Sequence, residues 1–89
     1  MTPPWKFVRV LWMDAYSEDP WTEIDKYDIR DHEVISLGYL VRETKTYHLL
    51  AANVGQGDNG VWEGCGLMAI PRKMVLEIDE VALTAGNTP

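Results

Sequence analysis

Cysteine is almost missing from this sequence. Cys65 stands alone among 89 residues, which excludes an internal disulfide framework and fits a reducing compartment. Long apolar runs are missing too. No stretch approaches the roughly 20 residues that span a bilayer as a helix, and the N-terminal MTPPWK has neither the basic start nor the apolar middle of a signal peptide. A cytoplasmic protein without a membrane partner is the expectation.

Bases are scarce as well: eight Lys and Arg stand against fourteen Asp and Glu, for a formal charge of −6. Non-specific nucleic-acid binding rests on neutralising several phosphates, so DNA and RNA are not the expected partners. The charge is also unevenly placed. Residues 14–33 hold eight acids (Asp14, Glu18, Asp19, Glu23, Asp25, Asp28, Asp31, Glu33) against Lys26 and Arg30, and the rest of the chain is neutral.

Catalytic and metal motifs are equally thin. Asp25, Asp28, Asp31, His32 and Glu33 are close in sequence but lack the alternating acids, central glycine and distal Glu of a calcium loop. His32, His48 and Cys65 are too far apart in sequence for a zinc pattern. Cys65 lies between two glycines with no cation or helix start to stabilise a thiolate, and reads as a buried or small strand residue. Gly55 to Gly60 has no lysine after it and no phosphate-loop spacing, so it reads as a hairpin loop. No enzyme, no metal and no cofactor are expected.

What the chain does have is β-patterning. VISLGYLVRETKTYHLLAANV (34–54) reads as two alternating strands around the turn Glu43-Thr44-Lys45-Thr46. On the first strand, Ile35, Leu37, Tyr39 and Val41 form the apolar side and are expected to be the inner wall. Ser36, Gly38 and Arg42 then face outward, and Arg42 and His48 are the outward positions of the hairpin left open to function. Gly38 marks a coiling point in a small barrel or a close approach by a backbone or ligand.

Lys6 to Ala15 reads as a first strand that is mostly apolar on both sides, which suggests burial on both faces or a subunit contact. Trp62 to Ile70 and Met74 to Asp79 supply two more strands around a corner at Pro71, while residues 1–5 and 84–89 look frayed. The acidic stretch between the first two strands reads as a long ordered loop with one short helical turn near Ile24 and Tyr27. Trp21 either pins that loop to the body or stands out as an anchor.

The expected fold is therefore a single small domain over 1–89, ordered over about 6–83. It is mainly all-β: a five-stranded antiparallel SH3-like or Sm-like barrel with a long first loop. An open antiparallel sheet packed on a helix at 21–30 is the alternative.

The segments Trp12-Met13-Asp14-Ala15, Trp21, Val34 to Leu40, Tyr47 to Ala51 and Ile70-Pro71-Arg72 resemble a group of short proteins common in tailed-phage and prophage genomes. That resemblance implies a phage-encoded accessory protein acting in the host cytoplasm, and it carries over no catalytic residue. The functional expectation is a homo-oligomeric binding protein that inhibits a host or defence protein through Trp21, Asp25, Asp28 and Asp31. The alternatives are a sponge for a small nucleotide signal, using Arg42, His48, Arg72 and Trp62 to stack a base and neutralise a phosphate, or a minor virion component.

Overall fold

The computed structural model describes residues 2–14, 21–27 and 32–83. Five strands form one antiparallel sheet: β1 (Phe7–Met13), β2 (Glu33–Glu43), β3 (Tyr47–Gln56), β4 (Trp62–Pro71) and β5 (Val75–Glu80). Their order across the sheet is β4-β3-β2-β1-β5, and the sheet is open, with β4 and β5 as its two outer strands. The only helical elements among the described residues are two 3-10 turns, Ile24–Lys26 and Arg72–Met74.

The expected central hairpin is present, and its turn explains itself chemically. Thr44 Oγ1 accepts hydrogen bonds from the Tyr47 and Thr46 amides at 2.9 and 3.2 Å. The Thr44 amide in turn donates to the Tyr47 carbonyl at 2.9 Å. A hydroxyl that satisfies two turn amides stabilises this reversal without glycine. In the β3–β4 loop Asn59 Oδ1 does the equivalent for the Val61 amide at 3.0 Å. Gly66, at φ +67°, kinks β4 where a side chain would be strained.

The strand faces differ from the sequence expectation. Val8 pairs with Gly38 and Val10 with Ser36, and cross-strand partners share a face. The buried core consists of Val8, Val10, Leu50 and Ile70, with Trp12, Leu40 and Val75 packed against it. The inner side of β2 is thus Val34, Ser36, Gly38 and Leu40. Ile35 and Leu37, expected inside, are 58% and 55% exposed on the opposite face.

The reason lies in the neighbouring strands. Once β1 buries Val8, Val10 and Trp12, β2 must offer what that face needs rather than its own most apolar side. Ser36 Oγ accepts a hydrogen bond from the Trp12 indole Nε1 at 3.0 Å, as a partly buried indole requires. Gly38 makes room for β3: a Cβ there would lie 2.9 Å from the Ala51 carbonyl oxygen. The close approach of a neighbouring backbone is thus the reading of Gly38 that the structure supports. Register shifts lie between Leu40 and Arg42 and between Leu11 and Trp12.

On the outer face, Leu11 pairs with Ile35 and Arg9 with Leu37. Phe7 and Tyr39 meet edge to face, with ring centroids 5.1 Å apart. The N-terminal segment is less frayed than expected, because Trp5 meets Trp62 edge to face at 5.3 Å. Arg9–Asp79 and Lys6–Glu80, at 3.6 and 3.9 Å, are exposed ion pairs that tie β1 to β5 only weakly.

Candidate functional site

The acidic connection leaves the sheet at Asp14 and returns at His32. The Asp14 amide donates to the His32 carbonyl at 2.9 Å, so the two ends of the excursion are closed against each other. Within it, Ile24–Lys26 forms one 3-10 turn, with the Lys26 amide bonded to the Glu23 carbonyl and the Tyr27 amide to the Ile24 carbonyl. The short helical turn expected near Ile24 is present.

Trp21 does not pin this segment to the body. It is 103% exposed and Ile24 is 91% exposed, so both apolar side chains face solvent entirely. Burying a side chain such as Ile24 is worth about 1.5–3 kcal/mol, a gain that this fold forgoes. Single exposed apolar residues are ordinary, but here an indole and an isoleucine three residues apart are both solvated. Lys26 Nζ pairs with Glu23 at 3.0 Å, and Asp25 has no basic partner among the described residues. Asp28 and Asp31, the other two expected contact residues, lie outside the described residues. Sequence reasoning assigned Ile24 to the helical turn and missed it as an anchor. The available signal was its three-residue spacing from Trp21 among acids.

The residues expected to hold a small nucleotide do not converge. Trp62 and Arg72 flank the length of β4, about 30 Å of extended chain, and Trp62 is engaged with Trp5. Arg42 pairs with Leu49. His48 and Arg72 do meet, through Glu43: its Oε1 lies 3.2 Å from His48 Nδ1 and 3.6 Å from Arg72 Nη2.

His48 was expected to face outward. It is only 7% exposed: it lies two residues before buried Leu50, on the same side of β3, and pairs with buried Ile70 on β4, while the irregularity between Leu40 and Arg42 brings Glu43 opposite it. Its Nδ1 is buried and, despite the proximity of Glu43, makes no aligned hydrogen bond. A leucine at this position would remove a buried, poorly satisfied nitrogen and leave Glu43 paired with Arg72. His48→Leu is therefore expected to leave the urea midpoint unchanged or raise it, by at most about 1 kcal/mol in stability. A loss above that would show that the imidazole is satisfied.

Cys65 is an exposed residue of β4, so of its two readings, a buried or a small strand residue, the buried one does not hold. Gly66, at positive φ, is its neighbour in the part of β4 where Asn53 pairs with Cys65. Among the described residues, no three His, Cys, Asp or Glu side chains come together as a metal site. None of their helices is long and apolar enough to cross a membrane.

Fold and segment together define a small antiparallel β-sheet protein with an acidic excursion between its first two strands on which Trp21 and Ile24 are exposed. Set against protein-family models, curated proteins and solved structures, the chain matches none of them.

Proposed function

We propose that this chain is a non-enzymatic accessory binding protein of phage type that acts in the host cytoplasm and occupies a surface of a host or defence protein. The observation that carries this reading is the full exposure of Trp21 and Ile24 beside Glu23 and Asp25. Such a segment fits an apolar pocket rimmed by bases, the indole and isoleucine supplying the desolvated centre and the acids the steering field. A nucleic-acid-binding groove has that character. Retention of the partner from host lysate is expected to fall with added salt and to be lost in Glu23→Lys/Asp25→Lys. Salt-independent retention that survives both substitutions would refute the acidic-segment reading.

Two finer features belong to the same proposal. The strand order, the close approach of β3 at Gly38 and the single 3-10 turn between β4 and β5 support a partly open barrel of the SH3-like or Sm-like kind. Self-association is supported by the two outer strands, which leave rows of backbone N–H and C=O groups unpaired. Pairing β4 of one copy with β5 of another satisfies both rows and repeats head to tail, giving a ring when the rotation between copies closes. A light-scattering mass equal to one chain across micromolar to millimolar concentration would remove self-association from the proposal.

A further inference from the structure

A second site lies at the other charge extreme of the molecule, where the β2–β3 turn meets the corner after β4. A cavity of about 220 Å³ opens there between Lys45, Thr46, Tyr47, Pro71, Arg72 and Lys73. Three of the eight bases of an acidic chain thus line one small depression. The nearby acid is Glu43, already shared between Arg72 and His48. Lys45 and Lys73 have no ion-pair partner among the described residues, and both are exposed.

The walls are fixed in advance. Arg72 donates its backbone amide to the Thr46 carbonyl at 2.8 Å and its Nε to the Thr44 carbonyl at 2.6 Å. Turn and corner are therefore clamped to each other, and little ordering is left for a ligand to impose. Tyr47 pairs with Pro71 across the β3–β4 ladder and is part-exposed, so an aromatic and a pyrrolidine ring stand side by side at the cavity. A planar ring is the natural occupant of such a wall, and the two free ammonium groups suit the phosphate it carries. The volume sets the size of that ligand. It falls short of the roughly 300–1,000 Å³ that encloses a drug-sized molecule, so one ring sits inside and the phosphate stays at the mouth.

We propose that the Lys45–Tyr47–Arg72–Lys73 corner binds a small phosphate-bearing ligand with a planar ring, of the nucleoside monophosphate class, with Tyr47 as the stacking surface and Lys45 and Lys73 as the phosphate contacts. This site is separate from the acidic segment and stands or falls independently of it. It shares only Arg72 with the four residues that sequence reasoning put forward for a nucleotide. Lys45 and Lys73 were missed because they lie 28 residues apart in the chain and only the fold brings them together.

The test is a titration of the uniformly 15N-labelled full chain with AMP, adenosine and inorganic phosphate, read from amide chemical shifts. The expected result is saturable shifts centred on Thr46, Tyr47, Arg72 and Lys73 with AMP, and at least about tenfold weaker binding of adenosine and of phosphate alone. Lys45→Ala/Lys73→Ala, both on exposed turn positions, should weaken AMP by at least about tenfold with the thermal melt unchanged. Tyr47→Leu should bring AMP down to the affinity of phosphate. Absence of shifts at these four amides, shifts centred elsewhere, AMP binding that survives the double substitution, or tighter binding of a single-stranded oligonucleotide than of AMP would each overturn the proposal.

Discussion

Ile70→Ala is expected to lower the unfolding free energy by about 2–5 kcal/mol. Ile70 is fully buried, pairs with His48 and packs in one cluster with Val8, Val10 and Leu50. So few fully buried apolar residues leave no second layer to collapse into the space. Small domains have stabilities near the low end of about 5–15 kcal/mol, and this one substitution removes much of that margin. Ile35→Ala is the control. Although Ile35 belongs to the more apolar side of β2, it is more than half exposed, and its loss should cost about 0.5 kcal/mol or less. Urea melts of the two variants would distinguish the observed faces from the inverted ones. Equal losses, or a larger loss at Ile35, would mean that β2 presents its other side to the core.

A methyl group at Gly38 is expected to cost about 1–3 kcal/mol. It would stand 2.9 Å from the Ala51 carbonyl oxygen and 3.3 Å from Leu50 Cβ. The nearest obstacle is backbone held in the β2–β3 ladder, where Tyr39 pairs with Ala51, so relief requires the two strands to separate and the sheet to uncoil. Gly55→Ala gives the comparison: nothing lies within 4 Å of a Cβ there, and a small gain from the reduced freedom of the unfolded chain is expected. Matching melts for the two variants would show that Gly38 carries no packing constraint.

Much of the fold was legible because most of the strands alternate with a period of two and each break has its own chemistry. The Thr44 hydroxyl marks one reversal, Asn59 and its glycines another, and Pro71 the corner. The side of β2 that faces inward was not legible. Its own alternation favours Ile35 and Leu37, whereas the deciding terms are non-local: the Trp12 indole needs an acceptor, and β3 needs space at Gly38. The inward turn of His48 was hidden for a related reason: alternation puts it on one side of β3 with Leu50, but only the pairing of Leu50 with Leu40 and of His48 with Ile70 shows that this side faces the core. For the candidate site, composition located the acidic segment and the two readings of Trp21. Only the fold shows that no part of the sheet covers Trp21 and Ile24.

Whether Trp21 and Ile24 are anchors is tested most directly by co-purification from host lysate, comparing the wild-type chain with Trp21→Ala/Ile24→Ala at equal amounts of folded protein. Two side chains that contact nothing in the fold can be removed without harm to it, and a partner that depends on them is expected to be retained by the wild type and lost from the variant. An identical set of retained proteins from both chains would contradict the account and move the functional surface away from the acidic segment.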